Sequence, residues 1–84
     1  MLNTHPRMLR LAEADNVAVA TARIETDEAA FASVVARMRI PFGHKMAVEP
    51  ILPGAPVRKF GQIIGFATAA IEPGEWVHEH NVAL

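Results

Sequence analysis

Proline and glycine crowd the second half of this sequence and limit what it can fold into. Ten of its eleven Pro and Gly residues lie between Pro41 and Gly74. Because proline lacks an amide donor and clashes with the preceding helical turn, no long helix fits in this region. The short pieces between these residues are predicted to be strands, at 45–48, 57–60, 62–70 and 76–80.

One pattern, I-x-P-G-x-x-V, occurs twice in this region, at residues 51–57 and 71–77. Proline followed by glycine fits the two central positions of a type II turn, since glycine accepts the positive φ at the second of them. The repeated pattern therefore predicts two similar strand reversals in a compact β unit.

The first half of the chain has far fewer proline and glycine residues. Val17, Val19 and Thr21 alternate with alanines, so we predict a strand with a β-branched face and a small face.

The secondary structure of residues 26–37 is ambiguous between a helix and a strand. Phe31, Val34 and Met38 have helical spacing after an acidic start, which favours a helix over about 27–37. The alternative is a loop followed by a strand over 34–40.

Length and composition limit the classes of protein to which this chain can belong. The chain has 84 residues, 51% of them hydrophobic, with a net charge of −1 and no cysteine. One domain is expected, and a disordered chain, a disulfide scaffold and a nucleic-acid binder are excluded. A core this small supplies only a few kcal/mol, so we expect burial against a partner or a second copy. No secretory signal or membrane-length apolar run is present, and the expected location is the cytoplasm.

Few side chains are suited to catalysis. His78 and His80, placed on a predicted terminal strand, point to one side and can supply two imidazole ligands to a divalent metal. The alternative is that they are polar surface histidines. Lys45 and Lys59 can each pair with a substrate carboxylate, or simply be solvated charges at strand edges. Trp76 is interpreted as a core or interface residue. No phosphate-binding loop or serine nucleophile is present, which favours a module over a self-sufficient enzyme.

Several sequence blocks, read in order, resemble a known family. They are D-N-V-A-V-A from Asp15, G-H-K at residues 43–45, K-F-G-Q-I-I-G from Lys59 and G-E-W-V-H-E-H-N from Gly74. This series resembles the SAF-type domain of the altronate and galactarate dehydratases. It is also similar to the small subunit of sulfolactate sulfo-lyase. Phe60 stands where a tyrosine is common in that family, so the tyrosine hydroxyl is missing here.

The resemblance implies a mainly β, compact β-clip fold of short bent strands, with at most one short helix or turn within 26–37. The domain would span 15–84 after an N-terminal segment, 1–14. The resemblance also favours a strand over a helix at 34–40. Because the sequence ends soon after Asn81, we expect the large catalytic domain of this family to be a separate polypeptide, a large dehydratase subunit.

The function implied is that of a small subunit, inactive alone, of a metal-dependent hydro-lyase for a sugar acid. The expected catalytic residues are His44, Lys45, His78 and His80, with Lys59 and Asn81 contacting substrate. The expected cofactor is a divalent metal, iron or manganese, held mainly by the large subunit with His78 and His80 as additional ligands. Two alternatives remain: the small subunit of a sulfo-lyase, and a non-catalytic binding or assembly module that self-associates into a homo-oligomer.

Overall fold

The computed structural model describes residues 4–84, and every regular element in that range is a strand. The strands are β1 (Thr4–His5), β2 (Met8–Leu9), β3 (Val17–Ala20), β4 (Ala29–Phe31), β5 (Val34–Val35), β6 (Lys45–Ala47), β7 (Pro56–Lys59), β8 (Gln62–Ala67), β9 (Trp76–Val77) and β10 (Val82–Ala83). This architecture confirms the mainly β fold of short strands that the β-clip resemblance implies.

The strands form two sheets and a hairpin. The larger sheet has the order β1-β2-β3-β6-β9, the smaller has the order β10-β8-β7, and β4 pairs with β5. All of these pairings are antiparallel. Residues 4–14 of the predicted N-terminal segment contribute β1 and β2 to the larger sheet, and Met8 is buried there. Residues 1–3 of that segment lie outside the described range.

The larger sheet is buried on both faces. Its central strand β3 sends Ala18 and Ala20 into the first core group, together with Met46 and the β4–β5 hairpin. It sends Val17 into the second core group, against residues of the smaller sheet. The predicted alternation along β3 is confirmed, and alanine on one face lets the hairpin pack close to the sheet.

Four corners of the chain share one backbone geometry. Each begins at a buried isoleucine, and the isoleucines pair as Ile24 with Ile40 and Ile51 with Ile71. Three positions later the backbone has a positive φ, and the amide there donates to an alanine carbonyl of a neighbouring segment. The four positive-φ residues are Asp27, Gly43, Gly54 and Gly74. The two predicted Pro-Gly reversals are therefore confirmed, and two further corners are built in the same way.

The helix predicted over 27–37 is wrong. Residues 29–35 form the β4–β5 hairpin instead, and Ile40 makes an isolated bridge rather than extending a strand over 34–40. The hairpin is favoured because Ala30 and Phe31 reach the core while Arg37 donates its amide to the carbonyl of Gly74 at 2.8 Å. Within residues 4–84 no helix is long and apolar enough to span a membrane.

Candidate active site

The structure gathers three histidines around Trp76. His44 directly precedes β6 and Trp76 begins β9, and these two strands are paired with Met46 opposite Trp76. The ring of Trp76 lies 5.6 Å from that of His44, 5.1 Å from that of His78 and 5.3 Å from that of His80, measured between centroids. The rings of His44 and His78 are 4.9 Å apart. We refer to these four residues as the histidine–tryptophan cluster.

A side-chain hydrogen bond fixes one pair in this cluster. Nε1–H of Trp76 donates to Nδ1 of His44 over 3.1 Å. Trp76 also stacks on His78 with only 8° between the ring planes, and it packs against the first core group. The indole is therefore held by contacts on several sides, which limits its freedom to rotate.

His78 and His80 lie in a turn rather than on a strand. β9 ends at Val77, so the strand predicted over 76–80 is wrong beyond its first two residues. The side chain of Asn81 explains this ending, because its Oδ1 accepts the amide of His78 at 3.0 Å and its Nδ2 donates to the carbonyl of Trp76 at 3.0 Å. These bonds close the turn locally and displace strand pairing. Both imidazoles nevertheless contact Trp76.

Asn81 is buried, and its carboxamide is used to close that turn. Its hydrogen bonds shape the turn that carries the two histidines. Its contact with substrate stays a prediction.

The two lysines lie apart from the histidine–tryptophan cluster. Lys45 pairs directly with Val19 and Val77, and Val77 belongs to the second core group. Because side chains alternate along a strand, Lys45 lies on the opposite face of the larger sheet from Trp76. Burial, and then the nearby charge of Lys59, lower the pKa of Lys45. The predicted site residues thus form a histidine group and a lysine group on different faces.

Lys59 is placed by a buried carboxylate that the sequence prediction missed. Lys59 ends β7, and the turn that follows it is held by Asp15, which is fully buried. The carboxylate of Asp15 accepts three backbone amides, those of Ala12 (3.0 Å), Phe60 (2.7 Å) and Gly61 (2.8 Å). The available sequence signal was a carboxylate two positions before the apolar strand that begins at Val17.

The described residues do not form a complete metal site. In the range 4–84 no three His, Asp or Glu side chains converge as a metal would require. His78 and His80 provide two imidazoles, whereas protein metal sites need at least one more ligand. A metal shared by these histidines therefore requires further ligands from another polypeptide segment.

The histidine–tryptophan cluster lies on an open surface. The part of the chain that the structure describes contains no pocket. His44 and His78 are half-buried, His80 is exposed, and Phe42, two residues before His44, is 71% exposed. Small-molecule sites are usually concave and bury most of the ligand. A substrate held here would need a second surface to enclose it.

Comparison with known proteins identifies related sequences. The profile of one family, described as the altronate/galactarate dehydratase SAF domain, matches residues 6–84. Over 70 residues the chain is 44% identical to the altronate dehydratase of Escherichia coli (strain K12), an alignment that covers 80% of this chain and 14% of that enzyme.

Two further relatives give shorter alignments. The galactarate dehydratase (L-threo-forming) of the same strain is 40% identical over 45 residues, which cover 54% of this chain and 9% of the enzyme. The (2R)-sulfolactate sulfo-lyase subunit alpha of Chromohalobacter salexigens is 42% identical over 43 residues, covering 51% of this chain and 46% of that subunit. The chain thus spans less than half of each of the three relatives.

Proposed function

Since this chain belongs to the altronate/galactarate dehydratase SAF domain family, we propose that it supplies part of the active site of a hydro-lyase that acts on a sugar acid. In this proposal the chain is a small subunit, inactive alone, and a large dehydratase subunit covers the histidine–tryptophan cluster. The relatives are an altronate and a galactarate dehydratase. The substrate class follows from their names.

One observation carries the proposal: three imidazoles surround the indole of Trp76 on a surface that has no pocket. Imidazoles are the side chains best suited to proton transfer near neutral pH. They contact substrate efficiently only in an enclosed site, where water is excluded. An exposed cluster of this kind fits half of a site that is completed by a second protein surface.

The chemistry of dehydration matches these groups. Elimination of water from a hydroxy acid removes a proton beside the carboxylate, develops negative charge on its oxygens and expels the hydroxyl group. His44, His78 and His80 supply imidazoles that can hold or move a proton, or donate a hydrogen bond to that charge. Lys45 lies on the opposite face of the larger sheet from these imidazoles, so in this proposal Lys45 and the nearby Lys59 attract the anionic substrate at longer range, as positive charges.

We also propose a divalent metal, iron or manganese, held mainly by the large subunit. His78 and His80 would add two of its ligands. Such a metal would orient the hydroxy acid and stabilise negative charge on it.

A sulfo-lyase is the second candidate. The relative named as subunit alpha has 43 aligned residues that make up 46% of it. A separate subunit that consists largely of this kind of domain supports the small-subunit arrangement. The leaving group, water or sulfite, would then be selected by the large subunit.

The experiment is to purify this chain from its native host together with any large polypeptide bound to it. The complex is assayed for loss of water from altronate and galactarate and for loss of sulfite from sulfolactate. His44→Ala and His80→Ala should each lower kcat/KM about 100-fold, by the magnitude typical of lost acid–base groups. His5→Ala is the matched control, because His5 contacts Phe31 and not Trp76.

The outcomes separate the candidates. Activity on a sugar acid that falls in both cluster variants and not in His5→Ala supports the hydro-lyase. Activity on sulfolactate alone favours the sulfo-lyase. A chain that purifies without a large partner, or variants with unchanged activity, would favour a self-associating binding module instead.

A further inference from the structure

Trp76 is the one residue of the histidine–tryptophan cluster whose ring contacts all three imidazoles. Its contact with His44 differs from the other two because it includes a directional hydrogen bond, from Nε1–H to Nδ1 over 3.1 Å. An indole nitrogen can only donate. Nδ1 of His44 must therefore carry a lone pair and no hydrogen.

This bond determines where the hydrogen of His44 lies. A neutral imidazole has one N–H and one lone pair, and the hydrogen bond at one nitrogen selects the tautomer. With Nδ1 as the acceptor, the hydrogen is on Nε2. Within residues 4–84, Nε2 has no hydrogen-bond partner, so this N–H is available to a ligand.

We propose that Trp76 is a positioning residue that holds His44 as an Nε2–H donor toward an anionic oxygen. This inference rests on the proposed function for its ligand, the carboxylate of a hydroxy acid or the enediolate that forms from it. Two alternative roles of His44 are excluded while the bond to Trp76 lasts. Nε2 has no lone pair with which to bind a metal, and it cannot accept a proton from substrate.

The surroundings of Trp76 explain why its N–H direction is fixed. The indole packs against the first core group and stacks on His78. Its own carbonyl is bound by Nδ2 of Asn81 at 3.0 Å. Backbone and ring are thus both restrained, as a positioning role requires. A preorganised donor of this kind stabilises developing negative charge without reorganising during the reaction.

The first test measures the tautomer of His44 in the folded chain and needs no activity. The chain is labelled with 15N in histidine, and the ring nitrogens are assigned by NMR at alkaline pH, where imidazoles are neutral. We expect His44 to be protonated at Nε2. In Trp76→Phe, which keeps an aromatic ring for stacking, His44 should become a mixture of both tautomers.

A matched control and a second variant accompany this test. Glu79→Gln should leave the tautomer unchanged, because the Glu79 side chain is 91% exposed and approaches only His78, at 3.9 Å. If Trp76→Phe does not fold, His44→Gln is used instead, and the indole Nε1–H signal of Trp76 should shift and exchange faster with water. Protonation of wild-type His44 at Nδ1 would overturn the proposal, as would an unchanged tautomer in folded Trp76→Phe.

The second test asks whether the donor acts in the assembled enzyme. Glutamine places an N–H near the position of Nε2, whereas alanine has no donor. We expect His44→Ala to lower kcat about 100-fold, as for loss of one preorganised donor, and His44→Gln to restore at least a tenth of the activity. Equal loss in both variants would refute the donor role. If the NMR result holds but no sugar acid is turned over, the proposed function fails and the tautomer assignment stands.

Discussion

Ile51 and Ile71 bind each other through two reciprocal backbone hydrogen bonds, each 2.8 Å long, and both side chains are buried in the second core group. Each isoleucine begins a turn in which proline precedes a glycine of positive φ. The amide of that glycine then donates to a carbonyl of the larger or the smaller sheet. The repeated sequence pattern thus marks two equivalent corners that are joined directly by the bridge between their isoleucines.

The glycines of these two corners should differ in their tolerance of alanine. Gly74 has a φ of 94°, and a Cβ there would collide with the carbonyl oxygen of Val35. Gly54 has a φ of 81°, and nothing lies within 4 Å of its added Cβ. We expect Gly54→Ala to lower the free energy of unfolding by about 1–2 kcal/mol, from the backbone strain alone. Gly74→Ala should cost about 3 kcal/mol or more, because a steric clash adds to that strain.

Urea denaturation of the two variants measures this difference directly. Gly54→Ala serves as the control for the positive φ, since the two turns share their backbone geometry. Equal destabilisation by both substitutions would show that the β4–β5 hairpin moves away from Gly74 without cost.

The carboxylate of Asp15 should be needed to hold the turn after β7. It accepts three backbone amides while fully buried. Asn in its place has one acceptor oxygen and turns an NH₂ group toward amide donors. We expect Asp15→Asn to lower the free energy of unfolding by about 3 kcal/mol, since bonds to a charged group are strong and unpaired buried donors are costly.

Asp27→Asn is the matched control for this substitution. Asp27 is exposed and has a φ of 71°, a conformation that asparagine accepts well. The free energy of unfolding of Asp27→Asn should therefore stay within about 0.5 kcal/mol of that of the wild type. Amide hydrogen exchange at Phe60 and Gly61 gives a local measurement. Unchanged protection of both amides in Asp15→Asn would contradict the assigned role.

Lys45 should make the stability of the fold depend on pH in the alkaline range. Burial and the charge of Lys59 lower the pKa of Lys45 in the folded chain from 10.5. At pH values between the pKa of the folded chain and that of the unfolded chain, the unfolded chain therefore binds more protons than the folded chain. Stability therefore rises with pH across that window. Lys45→Met should raise the free energy of unfolding at neutral pH and remove this rise. Denaturation at several pH values provides the measurement.

Lys59→Met tests the second cause of the same shift. Without the neighbouring charge, the pKa of Lys45 should increase, although burial still keeps it below 10.5. The Cε chemical shift of Lys45 reports its titration by NMR. An identical titration in wild type and variant would show that Lys59 does not act on Lys45.

The sequence patterns reported local geometry better than long-range contacts. Proline followed by glycine identified two corners, but the corner at Ile24 lacks that pair and was interpreted as the start of a helix. Phe31 and Val34 have helical spacing and yet face each other across a hairpin, because core packing and pairing override the local pattern.

The same contrast applies to the candidate site. The histidines were found from their sequence blocks. The central position of Trp76 depends on the pairing of β6 with β9, which no local pattern specifies. Lys45, next to His44 in sequence, was grouped with it, whereas strand alternation sends the side chain of Lys45 to the other face of the sheet.

Metal binding should require the large subunit. The described residues supply two imidazoles that contact Trp76, from His78 and His80, and no third ligand completes a site among 4–84. We expect calorimetry to show weak Mn²⁺ binding by the isolated chain and much tighter binding by the complex, because affinity depends on a full ligand set. His80→Ala should weaken binding to the complex at least about tenfold, and His5→Ala should not. Tight binding by the isolated chain would contradict a shared site, and unchanged affinity in His80→Ala would remove His80 from the ligand set.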